Sequence, residues 1–368
     1  MCRWFDHWLK GEDTGIVQEP PVTLYVQEEE KWRYEQQWPL ERARTRNLYP
    51  GADNLLKELQ SGSGGEEFDE YTYNPVVGVQ STLWDPLGLG IGLPQEQGPD
   101  DLSSLAYTGD PLDEDLEVTG EPIAVLHVSS SAEDVNFVVK LCDVAPDGSS
   151  HLVTVGWLKG KHYNSHIYPE PLEPGRIYRL NIRLWPTSYR FKAGHRIRMS
   201  IALSDFPRLW PTPKKATVRV FRSEGYCSHL ILPTIPEQQP NLPKPDLIVP
   251  PPGLHPPSIM TYQPEWEITR DLVNEVVTVR IGEDSTFRVD PKTTFSVNLH
   301  YEASVGVKDP AKVVLRSEAI MEVNRPVNAC RVEARALITT RQASLGVDIL
   351  LDENPFFSKK WERIYRES

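Results

Sequence analysis

From about residue 116 onward, apolar and polar side chains alternate with a period of two and show hardly any helical period; no other feature restricts the fold as much. Tyr178, Leu180, Ile182 and Leu184 alternate with Arg179, Asn181 and Arg183, while Ile197, Met199, Ile201 and Leu203 alternate with Arg196, Arg198 and Ser200. Two runs, Ile123-Ala124-Val125-Leu126 and Phe137-Val138-Val139, are apolar on both faces and suit central strands covered from either side. Pro146-Asp147-Gly148 and Pro174-Gly175 supply the turns between them. Two packed antiparallel sheets are the natural solution.

The same alternation returns near the carboxyl terminus. Phe295, Val297, Leu299 and Tyr301 oppose Ser296, Asn298 and His300; Cys330, Val332, Ala334 and Ala336 oppose Arg331, Glu333 and Arg335; Leu345, Val347, Ile349 and Leu351 form a further run. This pattern predicts a second antiparallel unit of about five strands. Residues 233–257, with ten of the 33 prolines, separate it from the first unit as an extended linker or strap.

The amino terminus is different. Met1, Trp4, Phe5, Trp8 and Leu9 fall at i, i+3, i+4, i+7 and i+8, which predicts an amphipathic helix with an aromatic stripe over the first eleven residues. No capping residue or strand leads into it, and such a stripe needs another surface to cover it. Gly11 to Gly15 then form a turn, and Pro20-Pro21 open a short strand over Val22–Val26. Residues 28–75 are acidic, aromatic and poorly periodic, and read as irregular coil.

Composition excludes several functions. The formal charge of −13 opposes a phosphate-backbone partner, so no nucleic-acid role is expected. No apolar run approaches the ~20 residues of a membrane helix. Arg3, Asp6, His7 and Lys10 break any signal-peptide core, so a cytoplasmic location is expected. Cys2, Cys142, Cys227 and Cys330 lie far apart without a C-x-x-C and read as reduced, mostly buried thiols.

Candidate catalytic and metal groups are few. Ser63 sits in Ser61-Gly62-Ser63-Gly64-Gly65 with no leading strand, and no Gly-x-Ser-x-Gly elbow exists, so linker serine is the better reading. His162 and His166 have i, i+4 spacing but lie between strands ahead of Pro169 and Pro171, as loop histidines. His195, after Gly194, reads as a structural residue bonding backbone at the start of a strand. Asp134, Asp143 and Asp147 lack the spacing of a calcium loop and fit turn chemistry. Asp100-Asp101 and Asp113-Glu114-Asp115 read as solvated charge. No catalytic, cofactor or metal site is therefore assigned.

Several words of the chain together resemble the CocE/NonD serine hydrolases, which include cocaine-esterase-like acyl hydrolases and Xaa-Pro dipeptidyl-peptidase-like enzymes. They are Arg3-Trp4-Phe5-Asp6-His7-Trp8-Leu9-Lys10-Gly11, Trp32-Arg33 with Trp38-Pro39, Tyr107-Thr108-Gly109-Asp110-Pro111-Leu112 and Val118-Thr119-Gly120, followed by Ser129 to Asp134, Lys140 to Gly148 and Gly194-His195-Arg196-Ile197-Arg198. The resemblance runs from residue 1 to about 222. It implies a mainly β chain: an antiparallel jelly-roll β-sandwich of the galactose-binding-like type, with a short N-terminal helix, irregular coil and a second antiparallel β extension. In that family an α/β-hydrolase domain carrying the Ser-His-Asp triad comes first, and the aromatic helix follows its histidine.

The implied division is a remnant helix and strand from the end of a hydrolase domain over 1–27, an irregular connecting segment over 28–115, and a sandwich core over 116–232 with contributions from 70–115. A Pro-rich linker over 233–260 and the β extension over 261–368 complete it. On this reading the chain is a noncatalytic portion without the triad, inactive alone. Its partner is an α/β-hydrolase catalytic domain, met through Trp4, Phe5, Trp8 and Leu9. Two other readings stand beside it: a free-standing carbohydrate-binding jelly roll using exposed Trp or Tyr as stacking platforms, and a coding start upstream of Met1 that would restore an intact enzyme.

Overall fold

The computed structural model describes residues 2–59, 66–80, 96–236, 243–245 and 258–365. It is mainly β, and every ladder between its strands is antiparallel. A helix α1 (Cys2–Lys10) precedes a hairpin of β1 (Val22–Val26) and β2 (Lys31–Glu35). There follow β3 (Arg44–Pro50), β4 (Leu56–Lys57), β5 (Phe68–Thr72), a one-turn helix α2 (Gly98–Asp101), β6 (Leu105–Thr108) and β7 (Leu116–Gly120). Next come β8 (Ile123–Ser130), β9 (Asn136–Val144), β10 (Ser150–Lys159), β11 (Tyr178–Arg183), β12 (Thr187–Phe191), β13 (Arg196–Ala202), β14 (Thr217–Phe221) and β15 (His229–Ile235).

These strands make two sheets. One has the order β10-β9-β13-β6; the other runs β12-β7-β15-β8-β14-β5, with β11 along the free edge of β8 and β3 beside β15. Inward residues of both sheets fill one core: Phe137, Val139 and Leu141 of β9 and Met199 and Ile201 of β13 meet Leu126 and Val128 of β8 and Leu180 and Ile182 of β11. The double-faced runs are the central strands, since β9 is buried along its whole length and β8 has neighbours on both edges.

The tail is a meander of β16 (Ser258–Asp271), β17 (Val276–Asp290), β18 (Thr293–Gly306), β19 (Val313–Asn324), β20 (Ala329–Thr339), β21 (Gln342–Leu351) and β22 (Asn354–Ile364), each paired with the next. It has seven strands where the pattern predicted about five. The polar run Ser358-Lys359-Lys360-Trp361-Glu362-Arg363 hides β22 from a hydrophobicity reading, although its backbone pairs throughout with β21. The segment Tyr73–Val79 staples tail to sandwich. Val77 packs with Val138 and Val155 on the sandwich, Val79 packs with Val277 and Val279 of the tail, and Trp266 donates from Nε1 to the Val79 carbonyl at 3.1 Å.

Three further expectations need correction. The segment 28–115 is not mere irregular coil: it supplies β2 to β6, of which β3, β5 and β6 extend the sandwich sheets. Arg44-Thr45-Arg46-Asn47 has no apolar alternation, and β3 is recruited by backbone pairing to β15 instead. Pro233, expected to open the linker, lies within β15 opposite Thr45. Asp100 and Asp101 are buried in α2, not solvated.

Candidate docking surface

Helix α1 is a free-standing amphipathic element. Trp4 is 52% exposed, Phe5 48%, Trp8 58% and Leu9 77%, so among the described residues the stripe is left about half or more in solvent and is not buried against later residues. Its rings do order one another, with the Trp4 and Trp8 centroids 5.7 Å apart and the His7 edge meeting Trp8 at 4.9 Å. Met1 lies outside the described residues.

The other side of the helix is tied down. Arg3 donates from Nη2 to the Thr14 carbonyl at 2.8 Å and pairs with Glu19 at 2.7 Å, and the Thr14 hydroxyl returns a bond to the Arg3 carbonyl at 3.1 Å. Gly11, at φ +74°, turns the chain so that the Gly11 and Glu12 amides cap the His7 and Asp6 carbonyls. The chain thus fixes the helix by polar contacts and leaves the stripe uncovered.

The hairpin that follows in sequence also exposes an aromatic pair. Tyr25 pairs directly with Trp32, their rings 5.2 Å apart and both substantially exposed. The opposite hairpin face points Arg33 into the sandwich, where it donates from Nη1 to Glu117 at 2.7 Å and from Nε to Glu35 at 2.8 Å. Arg42 also clasps Glu35, and Thr119 donates to Glu117 at 2.7 Å. Burial opposes charge at both Arg33 and Glu117, but their mutual bonds prevail, raising the Arg33 pKa and lowering that of Glu117. Backbone bonds Gln27 N to Ser188 O (2.9 Å) and Arg190 N to Gln27 O (3.2 Å) complete the attachment.

A second buried polar cluster lies on the outer face of the four-stranded sheet. Lys140, buried, donates to Gln97 at 2.8 Å and stands 3.6 Å from Asp100 and 3.8 Å from Asp205. Asp205 accepts from the Trp157 indole at 2.8 Å and from Arg208; Asp101 accepts from Arg198 at 2.9 Å and from Ser150 at 2.7 Å. Three cations thus balance three carboxylates, and burial still pushes Asp100 above its ordinary pKa against the pull of Lys140. This cluster holds α2 and the 205–208 loop to the sheet. The alternating pattern gave no sign of it, because a lysine inside a strand reads as a solvent-facing position.

The remaining candidates make the following contacts within the fold. His195 does more than bond backbone at the start of β13: its Nδ1 meets the buried Asp143 carboxylate at 2.9 Å and 3.0 Å, and Tyr189 donates to the same group at 2.8 Å, tying three strands together. Asp143 is therefore not a turn residue, whereas Asp147 is, accepting from the Ser149 amide at 2.9 Å. Asp134 pairs with Lys159 and Lys161, and Asp115 accepts from the Ala193 amide. His162 bonds the Ser165 carbonyl and stacks on His166 in a loop. Ser63 lies outside the described residues. Among the described residues no three His, Cys, Asp or Glu side chains gather as a metal site, and no helix is long and apolar enough to cross a membrane.

Comparison with known proteins identifies the family of the sandwich region. Residues 14–229 match the X-Pro dipeptidyl-peptidase C-terminal non-catalytic domain. A putative serine esterase of Mycobacterium bovis is 36% identical over 261 residues, covering 64% of this chain and 40% of the relative. The cocaine esterase of a Rhodococcus species is 32% identical over 258 residues, covering 63% and 45%. Among solved structures, an aminopeptidase from a marine-sediment Thaumarchaeota archaeon superposes with a TM-score of 0.56 at 26% identity, over 64% of this chain and 43% of that one. An alpha-amino acid ester hydrolase superposes at 0.53, again 26% identical, over 63% and 44%. The chain spans less than half the length of these relatives. It belongs to the X-Pro dipeptidyl-peptidase C-terminal non-catalytic domain family of CocE/NonD-type hydrolases.

Proposed function

We propose that this chain is the noncatalytic portion of a CocE/NonD-type serine hydrolase, that it docks on an α/β-hydrolase domain through Trp4, Phe5, Trp8 and Leu9, and that it shapes the pocket for an acyl or dipeptide substrate. The observation that carries the proposal is a helix whose polar side is fastened at Arg3, Thr14 and Glu19 while Trp4, Phe5, Trp8 and Leu9 on its other side remain exposed. An exposed cluster of this size is a liability for an unpartnered surface, and Trp side chains are the commonest anchors of protein interfaces. The relatives' names, esterase and Xaa-Pro dipeptidyl-peptidase, indicate the activity of the assembled enzyme.

The division of labour follows from this reading. Residues 1–27 deliver the contact, the sandwich gives it a rigid base through Arg33 and Glu117, and hydrolysis itself resides in the partner domain. Purified chain assayed with p-nitrophenyl esters and Xaa-Pro-nitroanilides should show no turnover above background. Turnover abolished by a serine-directed phosphonate would overturn the noncatalytic assignment.

A further inference from the structure

The seven-strand tail lies outside the matched family region and carries a surface that the hydrolase reading does not use. Directly paired residues of antiparallel strands share a face. Met321 pairs with Val332, Val332 with Ile349 and Ile349 with Phe357; in a parallel row Ala336 pairs with Leu345 and Leu345 with Trp361. One face of β19–β22 therefore carries two apolar rows, with Ala319, Ala334, Val347 and Lys359 in the row between them and Arg363 beyond Trp361 on the outer strand. The other face carries cross-strand ion ladders, Arg331 with Glu322 and Glu333, and Arg335 with Glu318 and Glu333.

Among the described residues the sandwich covers one end of this face, through Val79 and Phe206 over Val279 and Val305. Beyond that end the face is open, with Leu345, Phe357 and Trp361 each 42% exposed. We propose that a second copy of this chain covers it, forming a two-fold dimer in which two tails stack face to face.

Three observations favour that occupant. Four strands about 4.8 Å apart, each of about ten residues at about 3.3 Å, present roughly 600 Å² per copy, or about 1,200 Å² for a pair, which reaches the size of a specific, stable interface. The rows are aliphatic and aromatic, the composition of contacts between identical subunits. The outer edge β22 carries Lys360 and Glu362 on the polar face and Lys359 and Arg363 beside Trp361 on the other, charges that oppose pairing of edge to edge, with Lys359 laid over the Trp361 ring. A two-fold axis lets one self-complementary patch serve both copies and closes the assembly.

Light scattering of the full chain at about 20 μM should give twice the 41.9 kDa chain mass. Ile349→Glu should reduce it to one chain with unchanged circular dichroism, while Trp8→Ala should leave the dimer intact, which separates this contact from hydrolase docking. Cys330 shares the apolar face, paired with Val323 and Leu351, and serves as reporter. Its alkylation, read by peptide mass spectrometry, should accelerate about tenfold on dilution of the wild-type chain, with the sandwich residue Cys227 unchanged. A wild-type monomer overturns the proposal: with slow Cys330 alkylation the chain's own residues cover the face, and with fast alkylation the face is bare. A dimer lost in Trp8→Ala but kept in Ile349→Glu also overturns it.

Discussion

Replacing Glu117 by Gln tests whether the β1–β2 hairpin is held to the sandwich by buried charge. Arg33 and Glu117 have side chains 10% and 5% exposed, so their attraction is little screened. Loss of one carboxylate leaves Arg33 and Arg42 sharing Glu35 alone, an uncompensated positive charge in a buried setting. Breaking a buried pair in this way costs about 3–5 kcal/mol. Glu35 still accepts from both arginines, which places the expected loss at the lower end, about 3 kcal/mol. For a sandwich of this size that corresponds to a calorimetric transition roughly 6–12 °C lower.

The pH dependence supplies an internal control. Glu117 has a folded pKa below its ordinary value of 4.5. Its contribution is therefore fully present above that ordinary value and is lost as pH falls through the lowered one. Wild type and Glu117→Gln should differ at pH 7 and converge as pH falls below the ordinary carboxylate range and Glu117 protonates. The double variant Arg33→Met/Glu117→Leu should recover most of the loss, because it leaves no lone charge behind. A Glu117→Gln protein within about 0.5 kcal/mol of wild type at pH 7 would refute the reasoning.

Other perturbations should behave as follows. Lys140→Met leaves Asp100 without its cation inside the outer cluster, Asp205 keeping Arg208, and should cost about 3–5 kcal/mol by denaturant titration, with Lys140→Met/Asp100→Asn recovering part of it. Gly78→Ala should destabilise the junction of sandwich and tail, since Gly78 has φ +106° and a Cβ there would lie 2.6 Å from the Phe206 amide nitrogen; limited proteolysis between the two units should accelerate. Trp8→Ser should leave the thermal transition within about 0.5 kcal/mol of wild type, as expected for an exposed side chain.

Sequence periodicity located much of this fold because most strands have one wet and one dry face. The expected helix over the first eleven residues is found at Cys2–Lys10, and the strand over Val22–Val26 has those bounds. The pattern failed where a polar run breaks the alternation: Arg44–Asn47 of β3 and Ser358–Lys360 of β22 join a sheet through their amides and carbonyls. It failed again at Lys140, Asp100 and Asp101, because charge neutralised by a partner distant in sequence leaves no local signature. The exposed stripe of α1 was legible, since it depends on spacing within one helix, and its exposure depends on the absence of an apolar partner nearby.

The central claim, docking through that stripe, is tested most directly by calorimetric titration of this chain into an isolated α/β-hydrolase domain of a CocE/NonD relative. Wild-type chain should bind, and Trp4→Ala and Trp8→Ala should each weaken binding by tenfold or more, as anchors worth about 2 kcal/mol do. Equal affinity for wild type and both variants, or no binding by any of the three, would contradict the account.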